Sequence, residues 1–213
     1  MPRYFEDFSQ LDTVHRGGWK AQAGDFHAGS YDIRCQNNTD DRFRTIPDAS
    51  WLEGDLTGAA KRISRFFPVE DGSTISLEWR FVFQMDAVAA NNLLIFHLFA
   101  NQEAIDSAAA GYNAYAVSID ANAATFSLLR YTGGGGVVTI NSPGWSLGAA
   151  DTDQHTVAIT REVSGANRFW RMYMDGYLMA GPTNDATYTV ATYMGFETGS
   201  ANRQKATDLL IQW

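Results

Sequence analysis

Apolar and polar side chains alternate along Ser73–Asp86 (STISLEWRFVFQMD). Ile75, Leu77, Trp79, Phe81, Phe83 and Met85 fall on one face of an extended chain; Ser76, Glu78, Arg80, Val82, Gln84 and Asp86 fall on the other. A period of two is that of a half-buried strand. His155–Arg161 (HTVAITR) repeats it. Arg168–Gly181 (RFWRMYMDGYLMAG) sets Asp175-Gly176 between two strand-like runs, with Trp170, Met172 and Met174 on the apolar face. A two-residue hairpin turn needs positive φ at both positions, which Gly takes freely and Asp tolerates. Asn92–Asn101 (NLLIFHLFAN) is apolar on both faces and predicts a central strand covered on both sides. Tyr115–Asp120 and Thr125–Tyr131 read as a hairpin with Tyr115, Val117 and Ile119 inward, and Gly133–Gly136 as a loop tip before a short strand at Val137–Ile140.

Thr187–Glu197 and Ala206–Trp213 close the chain. The N-terminal third is less regular, with strands expected at Phe5–Phe8 and within Asp25–Cys35 and Ala59–Phe67, and a polar loop over Asn37–Gly58. No helical period of useful length occurs, and Ile105–Ala110 allows one short turn. About a dozen strands every 10–15 residues or so signal a sandwich or barrel. No linker, composition break or longer repeat divides the chain, so residues 1–213 read as one domain.

Composition narrows the partners. The formal charge is −8, from 16 basic and 24 acidic residues. With no run of Lys or Arg, nucleic acid and anionic membrane surfaces are not expected partners. Cys35 is the single cysteine, so no intrachain disulfide is possible. The start MPRYFEDFSQ has no apolar core of a signal peptide, and no apolar run reaches membrane-span length. The chain is therefore expected to be made without an export signal or to be a mature or excised domain. Asn37-Asn38-Thr39 is a glycosylation sequon that matters only in a glycosylating host.

The order of these segments resembles a known family. An opening Phe5-Glu-Asp-Phe8 and the long strand Ile75–Met85 come first. Gly111-Tyr112 then leads into Tyr115-Ala-Val-Ser-Ile119, followed by Phe126-Ser-Leu-Leu-Arg130. His155-Thr-Val-Ala-Ile-Thr-Arg161, Arg171-Met-Tyr-Met-Asp-Gly176 and Thr207-Asp-Leu-Leu-Ile211 complete the set. Together they are similar to the concanavalin A-like lectin/glucanase superfamily, above all its laminin-G-like branches. The resemblance covers most of the chain and implies an all-β jelly roll, two antiparallel sheets in a sandwich, one of them concave. It also favours an extracellular or virion-surface location. Glycosidases of the superfamily carry acids in an E-x-D-x-E strand, which is absent here. Glu78 and Asp86 lie eight residues apart on one strand, more than about 25 Å, too far for the acid–base pair of glycoside hydrolysis.

Candidate binding residues follow from the polar faces. Glu78, Arg80 and Gln84 on one strand and Phe169, Arg171 and Tyr173 on another would form a groove with aromatic platforms if both rows line one sheet. Sugar CH faces stack on rings while Arg, Glu and Gln hydrogen-bond the hydroxyls. The alternative is a solvated face with cross-strand charge pairs. Trp51 and Trp145, in loops, would anchor a sugar or a protein, or cap the sandwich. Arg80, His97 and Tyr173 are the residue types that polysaccharide lyases of this fold use, with Arg offsetting the uronate charge; the alternative for His97 is a satisfied core histidine. His15 and His27 lie in the irregular N-terminal part, and no histidine pair has zinc spacing. The resemblance implies calcium as the ion to consider, held by loop carboxylates and carbonyls. Glu6 or Asp7 with Asp208 would share such a site if the terminal strands pair. The leading reading is a non-catalytic module that binds a glycan or another surface. Next comes a structural, decoration or fibre subunit of a virion or extracellular assembly, with homo-oligomer or assembly neighbours. A lyase or hydrolase comes third.

Overall fold

The computed structural model describes residues 3–6, 20–23, 25–28, 31–34, 52–54, 61–67, 73–85, 93–105, 109–133, 135–145, 153–190, 192–199 and 204–213. Sixteen strands are found among them: β1 (Arg3–Glu6), β2 (Lys20–Ala23), β3 (Asp25–Ala28), β4 (Tyr31–Arg34), β5 (Leu52–Gly54), β6 (Lys61–Phe66), β7 (Leu77–Met85), β8 (Leu93–Ala100), β9 (Ala114–Asp120), β10 (Thr125–Thr132), β11 (Gly136–Asn141), β12 (His155–Ser164), β13 (Asn167–Met174), β14 (Tyr177–Asn184), β15 (Tyr193–Thr198) and β16 (Gln204–Gln212). Sheet A runs β14-β13-β12-β7-β16-β5-β3-β4, with β1 also on β16; sheet B runs β11-β10-β9-β8-β15-β6-β2. All pairings are antiparallel. The two sheets form the expected sandwich.

Alternation fills the space between them. Leu77, Trp79, Phe81, Phe83 and Met85 of β7 are buried, with Val157 and Ile159 of β12 and Trp170, Met172 and Met174 of β13 beside them. Sheet B answers with Leu94, Phe96 and Leu98, Tyr115, Val117 and Ile119, Phe126 and Leu128, and Met194 and Phe196. Phe81 meets Phe96 and Phe196 edge-on at 5.3 and 5.7 Å between ring centres, while Trp170 of sheet A lies 4.6 Å from Tyr115 of sheet B. Such contacts add to the burial of large apolar area. Arg161, the last fully buried residue of β12, also lies on its inward face. Its guanidinium lies 4.5 Å over Phe99 and donates to the Ile75 carbonyl at 3.1 Å, and burial first, then Arg168, pulls its pKa down to about 10.

Two turns anchor β13 and β14. Asp175 and Gly176 have φ of 51° and 81°, as the hairpin requires. The Asp175 carboxylate also accepts the Thr156 N–H at 2.7 Å and meets His155 Nδ1 at 2.8 Å, locking the β13–β14 turn to the start of β12. Beyond β14, Asp185 takes hydrogen bonds from Tyr115 and Arg130 of sheet B, and its carbonyl accepts from Trp170 Nε1 at 2.9 Å. The sheets are thus tied at one end by polar bonds as well as by packing.

Neighbouring residues of β13 offer a direct check. Truncating buried Met172 to Ala is expected to cost about 2–5 kcal/mol, whereas Tyr173→Ala on the opposite face is expected to cost under about 1 kcal/mol. Chemical denaturation of the two variants reads the difference.

Candidate functional site

The outer face of sheet A is shaped by side-chain size. On β12 the outward residues are Thr156, Ala158 and Thr160. Ala158 lies opposite Arg80 of β7 and Tyr173 of β13; Thr160 lies opposite Glu78 and Arg171. Long side chains therefore stand on both flanks of a strand with short ones. Strands sit about 4.8 Å apart, so the flanking rows stand about 10 Å from each other across the Ala158 floor. Two adjoining hollows of about 400 and 610 Å³ follow, sharing Glu78, Thr160 and Tyr173. Both volumes are in the range of ligand clefts. One ends at Asp175 and Gly176; the other reaches Glu162, Gln212 and Trp213.

The charges in this trough come in pairs. Arg80 donates to Glu78 at 2.7 Å, Arg171 to Glu162 at 2.8 Å, and His155 meets Asp175. Arg80 is 51% exposed and Glu78 27%, so the first pair faces the solvent at the wall. Leu178 lies opposite Tyr173 on β14 and is 55% exposed, giving the rim an apolar edge. A polyol laid here would find guanidinium donors, carboxylate acceptors and a tyrosine ring.

Glu78, Arg80, Arg171 and Tyr173 are thus brought together as the groove reading expects. Gln84 lies on β7 beyond the lining residues, opposite Lys205 of β16, and Phe169 lies opposite Glu162 and Asn184, also outside the lining. Trp145 packs edge-on against Phe83 and His155 at 5.8 Å, so it caps the sandwich and does not face the trough. Trp51 and Asp7 lie outside the described residues, as do the side chains of Glu6 and Asp208. The terminal strands do pair, Arg3–Glu6 against Leu209–Gln212. Among the described residues no group of three or more His, Cys, Asp or Glu could hold a metal ion.

The set Arg80, His97 and Tyr173 is corrected by the fold. His97 belongs to sheet B, whereas Arg80 and Tyr173 project from the outside of sheet A, so the packed core separates them. His97 is fully buried. Its Nδ1 meets the Tyr112 hydroxyl at 2.6 Å and its Nε2 meets Glu197 at 3.3 Å, while Arg62 donates to the other Glu197 oxygen at 3.2 Å. Ile105, Tyr112 and Tyr131 cover this cluster on the outside of sheet B. Burial raises the Glu197 pKa, but His97 and Arg62 outweigh it and hold the carboxyl below its ordinary 4.5. Burial, then the Glu197 charge, pushes Tyr131 up to about 12.

Inspection along single strands missed the residues that register brings in. Glu162 lies diagonal to Glu78 on adjacent strands, about 7–8 Å away. Both carboxylates are engaged by arginines, Glu78 by Arg80 and Glu162 by Arg171. The short outward residues of HTVAITR were the available signal for the floor.

No family model and no curated protein sequence matches the chain. Solved structures do. The carbohydrate recognition domain of Emp46p, in a potassium-bound form, superposes with a TM-score of 0.60 at 10% identity, over 96% of this chain and 94% of that one. A CBM2 module of the evolved Dit of Lactobacillus casei BL23 phage J-1 gives 0.57 at 13% identity, over 99% and 94%. A β-1,3-glucanase from Mycobacterium marinum gives 0.52 at 12% identity, over 100% and 99%. The fold is the concanavalin A-like jelly roll. At these identities the concanavalin A-like likeness concerns architecture, and the activity of this jelly roll must be argued from its own trough.

The Glu197 cluster carries a pH prediction. A carboxyl held below its unfolded value stabilises the fold above that value and stops doing so as pH falls through the folded one. The melting temperature is expected to drop as pH falls from about 5 toward 3. Glu197→Gln should flatten that dependence while costing about 3 kcal/mol near neutrality, because His97 and Arg62 lose their buried partner. Thermal melts across pH check both.

Proposed function

We propose that this jelly roll is a non-catalytic binding module that holds a glycan in the sheet A trough. The observation that carries the reading is the short-residue floor of β12 between Tyr173 and Arg171 on one side and Glu78 and Arg80 on the other. It offers one ring to stack on and paired charges to hydrogen-bond hydroxyls. The carbohydrate-recognition and CBM2 domains that share the fold support it. A glycan array followed by calorimetry is the test. Tyr173→Ala is expected to weaken binding about tenfold, the scale of one lost stacking contact. No glycan bound at high concentration, or release of reducing ends or 235 nm-absorbing products from a bound polymer, overturns the reading.

A second reading, a subunit of a virion or another extracellular assembly, is favoured by the edge of sheet B. Among the described residues β11 (GVVTIN) is an edge strand; it carries no charge, and Val137 and Val138 are exposed. Such an edge invites pairing with another strand. The phage origin of one matching module points the same way. Light scattering should then show a dimer or higher species that Val138→Lys reduces to monomer. A monomer of the unaltered protein at high concentration counts against it.

A further inference from the structure

We propose that the trough takes an uncharged glycan, bound along the interior of an extended chain. The inference rests on the glycan reading above and adds the ligand's charge and mode of binding. Six charged residues line the two hollows: Glu78, Arg80, Arg161, Glu162, Arg171 and Asp175; Arg161 is fully buried, with its guanidinium in the core against Phe99 and the Ile75 carbonyl. Arg80 is taken by Glu78, Arg171 by Glu162, and Asp175 by His155. Among the outward-facing residues three carboxylates stand against two arginines, on a chain whose formal charge is −8. A polyuronate brings about one negative charge per sugar and would have to displace Glu78 and Glu162 to reach the guanidinium groups. A neutral sugar faces no such cost. Each guanidinium carries five N–H donors, of which a single ion-pair contact uses only part, and each carboxylate keeps further acceptor sites.

The shape sets the mode of binding. The trough follows β12 from Thr156 to Glu162, about 20 Å, room for several sugar rings in a row. β12 is extended over that length, so a ligand lying along it is extended too. Asp175 at one end is 42% exposed and Glu162 at the other 52%, so among the described residues neither end is walled off and the sugar chain continues past both. Tyr173 stands mid-way, opposite Ala158, where one ring face can rest against it.

Calorimetry with neutral cello-, laminari- and mannohexaose, hexagalacturonate, and the matching disaccharides and monosaccharides tests this. The expected result is binding of at least one neutral hexaose, tightening at least tenfold from disaccharide to hexaose. Reduction of its terminal sugar to the alditol should change nothing, and hexagalacturonate should not bind. Ala158→Phe, which fills the floor and leaves every ion pair in place, should weaken binding more than tenfold without lowering the melting temperature. The double variant Glu78→Gln, Glu162→Gln should acquire binding of hexagalacturonate. Preference of the unaltered protein for hexagalacturonate, for a monosaccharide or for an unmodified terminus, still lost in Tyr173→Ala, overturns this inference and leaves the trough as a glycan site. Binding indifferent to both Tyr173→Ala and Ala158→Phe, or no glycan binding, overturns the trough reading and this inference with it.

Discussion

Aromatic packing between the two sheets is the constraint from which the rest follows. Phe81 of sheet A sits against Phe96 and Phe196 of sheet B, and the stacked pair Trp79 and Trp170 meets Phe99 and Tyr115. Each of these side chains buries a large area and accepts only a few ring geometries. Their positions therefore fix how far apart the sheets lie and which face of each strand turns inward. A one-residue slip of β7 or β13 would carry Trp79 or Trp170 into water and Arg80 or Arg171 into the core.

The trough is the other side of that decision. Because Val157 and Ile159 must face the core, Thr156, Ala158 and Thr160 must face out. Because Trp79 and Trp170 face in, Glu78, Arg80, Arg171 and Tyr173 face out too. Register then sets the short row between the long ones. The floor and walls of the trough thus stand on strands with pre-paired charges. A ligand arriving there meets groups already oriented, which lowers the ordering cost of association.

Local pattern made much of this readable from the chain. Alternation in β7 and β13, the Asp175-Gly176 turn, the doubly covered β8 and the β9–β10 hairpin all depend on residues close in sequence. What the sequence hid depends on distant pairing. Glu78 and Thr160 are neighbours across some eighty residues of chain, and nothing local states that β12 lies beside β7 rather than β8. Hence Glu162 and the small-residue floor went unseen, and Arg80 was grouped with His97, although a core divides them. Trp145 misled for a similar reason. Its loop surroundings suggest exposure, while Phe83, the core ring it packs against, lies some sixty residues away along the chain.

The two outer faces show why architecture does not by itself declare activity. Sheet B has a His, a Glu, an Arg and two Tyr within reach of one another, the more catalytic inventory by residue type. Yet Ile105 and Tyr112 lie over it, and His97 is spent on Tyr112 and Glu197. Gly195 explains how closely the cover fits, for a Cβ there would lie 2.3 Å from the Ile63 carbonyl and 3.0 Å from Ile105. Sheet A offers plainer residues but leaves them open. Access, set by which face the segment before β9 folds onto, therefore decides where a ligand can bind. The same two-layer frame would host a different function if that segment crossed the other sheet.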